Sequence, residues 1–147
     1  MKNEFLEYFK SIGIREPVFP RIETIMEYFS RLLPDEEVMD VYISDYVELD
    51  GARKYEDLRL IGKESSLIAT DFMNKDEFHI AKNMGRVVTL KIEAKDYDFR
   101  RATDKSRLHV WKFYPYQALG EYKASMNNCD YLMRICEKYL LPYLASE

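Results

Sequence analysis

Residues 86–94, Arg-Val-Val-Thr-Leu-Lys-Ile-Glu-Ala, carry the clearest alternation in the chain. Val88, Leu90, Ile92 and Ala94 fall on one side of an extended backbone, and Val87, Thr89, Lys91 and Glu93 on the other, because side chains alternate across a strand. The spacing predicts a strand with the first face in a core. Residues 108–114 follow the same logic, Leu108 and Val110 alternating against His109, Trp111 and Phe113, just after a charged turn at 102–106.

Outward toward the N-terminus, the segments before this strand also read as strands joined by short turns. Asn83-Met84-Gly85 delivers the chain into it, since Asn and Gly tolerate positive φ. Before that come extended segments at 78–81, 66–72 and 55–61. Asp50-Gly51 is the strongest hairpin signal, closing a first strand over 37–49 in which Met39, Val41 and Ile43 alternate with Val38, Asp40 and Tyr42. A shorter strand is expected at 97–101. Connections this short favour antiparallel pairing, because a parallel crossover needs about a dozen residues. The sum is a meander of about seven strands.

Helical periods flank the meander. Phe5, Leu6, Phe9 and Ile12, then Ile22, Ile25, Met26, Phe29, Leu32 and Leu33, predict helices over 3–12 and 21–33. Pro17 and Pro20 are expected to interrupt between them, and Pro34 to end the second. After Pro115 the period becomes helical again: Cys129, Leu132, Cys136, Tyr139 and Tyr143 predict a last helix, with Asn127 or Asn128 as its N-cap. The fold class is therefore α+β: a bent antiparallel sheet or barrel, two helices before it and one after it. A chain of 147 residues with no linker or repeat reads as one domain, a helical extension over 1–35 and the sheet with its helix over 36–147.

A net charge of -4 argues against broad affinity for nucleic acid or an anionic membrane. No apolar run approaches the roughly 18 residues of a membrane span. Cys129 and Cys136 are the only cysteines. Seven residues apart on a helix they stand about 10 Å from each other along the axis, too far for a disulfide. Two free thiols suit a reducing compartment, so a cytoplasmic location is expected.

Seven antiparallel strands followed by one amphipathic helix, over residues 37–146, resemble the pleckstrin-homology-like (PH-like) fold in the order of their elements. The two N-terminal helices are an addition to that pattern. The resemblance implies a bent barrel plugged by its C-terminal helix, and a non-catalytic module for phosphoinositides or peptides. Lipid-binding members place a Lys in the first hairpin, then a basic residue, any residue and an Arg. Lys54 stands in the matching neighbourhood, but Asp57-Leu58-Arg59 puts an acid at the basic position.

The densest positive stretch is 99–112, where Arg100, Arg101, Lys105, Arg107 and Lys112 face one acid, Asp104. Guanidinium forks match phosphate and carboxylate oxygens, so these five residues are the candidate site for an anionic small ligand or an acidic protein partner. Charges of this kind also keep a sheet edge from aggregating. A different class is suggested by Glu93-Ala94-Lys95 at the end of a hydrophobic strand, which resembles the acidic-x-Lys half-motif of restriction-endonuclease-like nucleases. That resemblance implies Mg²⁺ held by Asp71 and Glu93 and an attacking water supported by Lys95. His79 and His109 lack metal-ligand spacing to any Cys, and His109 is expected to pack or hydrogen-bond on a strand face shared with Trp111. No nucleophile, nucleotide-loop or Cys-x-x-Cys signature occurs, and no cofactor or resident metal is expected. Tyr114 and Tyr116, beside Lys112, are candidate interface residues.

Overall fold

Pro20, expected to break a helix, instead starts one. It stands in the first turn of α2 (Phe19–Leu32), where a missing N–H removes no helical bond. Pro17 lies in a 3-10 turn, Glu16–Val18, that joins α2 to α1 (Asn3–Ser11). The computed structural model describes residues 1–83, 87, 89–114 and 118–144, the last group without the side chains of Ala118 and Leu119. Met84, Gly85, Arg86, Val88, Pro115, Tyr116 and Ser146 therefore lie outside the described residues.

Seven strands follow α2: β1 (Asp40–Val47), β2 (Arg53–Ile61), β3 (Ser65–Thr70), β4 (Glu77–Lys82), β5 (Thr89–Lys95), β6 (Arg107–Phe113) and β7 (Ala118–Ser125). They form two sheets, β1-β2-β3-β4 and β5-β6-β7, and no closed barrel among the described residues. The registers of β2 through β4 and of β5 through β7 are antiparallel, as the short connections require. The C-terminal helix is α3 (Asn128–Ile135), continued by a π turn, Cys136–Leu140, and a 3-10 turn, Leu141–Tyr143. The chain divides into two compact units, Met1–Ile43 with Tyr55–Asn83, and Ser44–Lys54 with Met84–Glu147.

In the first unit Phe9, Ile12, Ile22, Ile25 and Phe29 of the helical segments and Leu58, Leu60, Leu67 and Ala69 of the sheet are fully buried. The helical stripes read from the sequence are packing faces except at Leu32, which ends its stripe exposed. Tyr8, outside the apolar count, is buried too, because its ring lies beside Tyr42 and its hydroxyl accepts the Ile43 N–H at 3.0 Å. Glu36 carries the next turn: its carboxylate accepts the N–H groups of Glu64 and Ser65 at 2.7 and 3.0 Å. Those bonds hold its pKa below the ordinary carboxylate value.

In the second unit the tip of the first hairpin turns as Asp50-Gly51 predicts, with Gly51 at φ 88° and its N–H donating to the Glu48 carbonyl. The three-stranded sheet differs from expectation in two places. Residues 97–101 are not a strand: Asp96 and Phe99 have φ 52° and 66°, and Asp98 folds back to accept the N–H groups of Arg100 and Arg101. The seventh strand is β7, in a stretch after Pro115 where the sequence pattern was expected to turn helical. Its apolar side is small, and Gly120 occupies its middle because the stem of Lys112 passes within 3.2 Å of where a Cβ would stand.

β5 itself is the outer strand of its sheet, and the face expected in a core is largely open. Ile92 is 39% exposed and Leu90 only half-buried. The reason lies in the position of α3, which packs on β7 and β6 and buries Leu108, Val110, Tyr122 and Ala124. One strand further out, the alternation continues without a cover.

Candidate functional site

The register of β5, β6 and β7 builds a polar surface row by row. Lys95 stands opposite Arg107 and Arg107 opposite Ser125; Glu93 opposite His109 and His109 opposite Lys123; Lys91 opposite Trp111 and Trp111 opposite Glu121. Directly opposed residues share a face, so this one face carries Lys91, Glu93, Lys95, Arg107, His109, Trp111, Glu121 and Lys123. An open cleft of about 680 Å³ lies here, lined among others by Asp45, Tyr46, Glu93, Lys95, Arg107, His109 and Lys123.

The acids of the cleft are engaged. Asp45 is fully buried at the end of β1, where its carboxylate accepts from Arg53 Nε at 2.7 Å, Ser125 N at 3.0 Å, Asn128 Nδ2 at 2.6 Å and the Ser125 hydroxyl. Arg53 continues the network to the Ser125 carbonyl and to Asn127 Oδ1. Asn127 stands at the predicted N-cap position, yet its side chain makes no cap bond and serves this clamp. Glu93 lies 3.4 Å from Lys91. His109 stacks on Trp111 with ring centroids 3.5 Å apart and is 2.8 Å from Glu121, while Lys91 Nζ stands over the Trp111 ring, 4.7 Å from its centroid. Arg107 donates to the carbonyls of Asp104 and Ser106, and Lys95 has no acidic partner among the described residues.

Of the five residues proposed as an anion site, Arg107 alone lines this cleft. Arg100 and Arg101 lie exposed in the Asp98 turn, and Lys105 is exposed in the turn before β6. Lys112 pairs with Leu90 and Gly120 on the opposite face of the sheet, five residues or about 16 Å along β6 from Arg107. Tyr114, its neighbour, is 39% exposed. Of the nuclease-like set, Glu93 and Lys95 line the cleft together, whereas Asp71 belongs to the first unit. There Asp71 has φ 46°, accepts from Asn74 Nδ2 and donates its N–H to Asp57. Among the described residues no three His, Cys, Asp or Glu side chains gather closely enough to hold a metal ion. Along the lipid-type run, Lys54 is exposed and Arg59 is buried.

Both cysteines are free and buried, and burial pushes each thiol up to about 12, with the Asp45 carboxylate adding to the effect at Cys129. Tyr97 is raised above its ordinary value by burial and by its hydrogen bond to Asp130. Asp130 also accepts the Ala102 N–H, tying the loop before β6 to the first turn of α3. Among the described residues no helix is long and apolar enough to cross a membrane. No family model, no curated protein sequence and no solved structure matches this chain.

The sequence reading missed Asp45, Arg53 and Lys123. Asp45 continues the Met39, Val41 and Ile43 side of the first strand, so the signals available were an acid on the apolar face and its companion Arg53 across a short hairpin. Lys123 was hidden with the rest of β7.

Proposed function

We propose that the chain is a non-catalytic, PH-like binding module of the cytosol that takes an acidic extended protein segment along β5 and into the cleft above it. The observation that carries this reading is the direct opposition of Lys95 and Arg107 in a cleft whose carboxylates, Asp45 and Glu93, are held by Arg53 and Lys91. Cations remain to meet an incoming carboxylate, and Arg107 adds forked donors to the ammonium of Lys95. β5 is an edge strand, so an extended segment reaches these cations along its open side, with main-chain bonds supplying affinity and alternate side chains selectivity. The two buried thiols support the reducing compartment.

Trp111 is the single tryptophan and stacks against His109 of the cleft, so its fluorescence reports occupancy. Titration with a peptide of alternating Glu and Val should change that signal and saturate. The double variant Lys95→Glu/Arg107→Glu should weaken binding roughly a hundredfold, as two charge-assisted contacts are reversed. Arg100→Glu, outside the cleft, should leave it within about twofold. Equal loss in both variants would replace the cleft by a diffuse charge effect, and saturation by inorganic phosphate alone would replace the protein segment by a free anion.

A further inference from the structure

The edge strand of the first unit, β4, reads Glu77-Phe78-His79-Ile80-Ala81-Lys82, preceded by Asp76. It is the outermost strand of the four-stranded sheet, and five of its six residues are exposed. Its pairing with β3 sets Phe78 opposite Ala69 and Ile80 opposite Leu67, so these two side chains belong to the apolar face of the sheet. α2 accompanies them at that edge, since the Tyr28 and Phe78 rings are 4.7 Å apart. Ile80, Tyr28 and Leu32 remain 45%, 42% and 53% exposed. An open strand edge flanked by exposed apolar side chains is a template for another strand.

We infer that the occupant is β4 of a second copy, paired antiparallel across a two-fold axis through His79. A two-fold normal to a sheet keeps each face on its own side, so opposed residues must share a face. The register centred on His79 meets this condition and sets Asp76 opposite the partner's Lys82, Phe78 opposite the partner's Ile80, and the same pairs again in reverse. Acid meets base, the Asp76 carboxylate standing between Arg21 of its own α2 and the partner's Lys82, and apolar meets apolar at every position of the α2 face. Shifting the centre by one residue loses this: about Ile80, Phe78 faces the partner's Lys82, and about Phe78, Asp76 faces the partner's Ile80. On the other face His79 meets its own copy, and Ala81 leaves room beside Glu77. The two four-stranded sheets become one of eight strands, and the two α2 helices lie on the same side of it. The interface is short, so the association is weak and concentration-dependent.

Sedimentation velocity over a wide concentration range should raise the average mass from 17.6 kDa toward twice that value. Ile80→Lys places a cation opposite Phe78 and beside Lys82, and should weaken association roughly tenfold or more. Its exposed position leaves the fold intact, checked by an unchanged melting temperature. His79→Cys supplies the register test: its own copy lies directly opposite, so mild oxidation should join two chains there, faster than through Glu77→Cys or Ala81→Cys. The native thiols are buried and do not compete. A mass fixed at 17.6 kDa at every concentration would overturn the proposal and leave the edge to a strand of another protein. Faster crosslinking at 77 or 81 than at 79 would overturn it as well.

Discussion

The two units solve the same problem with different chemistry. In the first, two helices and a four-stranded sheet bury a broad set of aliphatic and aromatic side chains, and the polar groups they enclose are few, such as the Tyr8 hydroxyl on Ile43. In the second, one short helix packs on β7 and β6, and a buried carboxylate, Asp45, gathers Arg53, Ser125 and Asn128 around itself. Apolar burial is roughly additive and tolerant, whereas a buried charge is stable only while every partner is present. The second unit thus leaves a strand and a polar face open to solvent, but depends on one network for its order.

That contrast can be broken most directly at Asp45. Asp45→Ala removes the buried carboxylate that accepts from Arg53, Ser125 and Asn128, and should cost about 3–5 kcal/mol. In urea unfolding followed by Trp111 fluorescence the transition should move to markedly lower denaturant; a shift of the size seen for an exposed substitution would show that the network is incidental. In the first unit, Tyr8→Phe removes one buried hydroxyl together with the bond it accepts from the Ile43 N–H, and should cost about 1–2 kcal/mol by the same measurement. A loss as large as that of Asp45→Ala would erase the difference drawn between the units.

The smallest effect is in alkaline solution. Cys129 and Cys136 ionise near 9 when unfolded and near 12 when folded. Between those values the unfolded chain has released protons that the folded chain still binds, so stability falls as pH rises. Their contribution is whole below pH 9 and lost on the way to about 12. Melting temperatures measured above pH 9 should decline less in a Cys129→Ala/Cys136→Ala variant than in the parent, whatever its starting stability. Identical slopes would mean that the thiols are already accessible in the folded state.

Much of the architecture was legible because it follows from local chemistry. Alternation at 55–61, 66–72 and 108–114, the Asp50-Gly51 turn and the helical stripes of 3–12 and 21–33 each place an element within a few residues of its observed bounds. The count of seven strands came from two offsetting differences. Residues 97–101 alternate as a strand does, but Asp96 takes a positive φ and the Asp98 carboxylate accepts the N–H groups of Arg100 and Arg101, which bends the chain. β7 carries too little apolar contrast, with alanines and Gly120 on one side, to announce itself. The candidate site was less legible. Charge density pointed to 99–112, yet density along a sequence ignores that alternate residues face opposite ways, which separates Lys112 from Arg107.

What the sequence determined by itself is the kind and order of elements: two helices, a run of antiparallel strands, a closing helix, and two thiols unable to bond each other within it. Periodicity and turn chemistry are properties of neighbours in the chain, and they need nothing further to act. Only the tertiary structure decided which apolar faces are covered. The face of β5 reads like a core face and stands largely open, because α3 packs chiefly on β7 and β6 among the described residues. Asp45 is of a residue type that stays in water unless paired, and it is wholly buried, because Arg53, Ser125 and Asn128, up to 83 residues away in the chain, converge on it. Burial depends on what lies across space, and no local pattern encodes that.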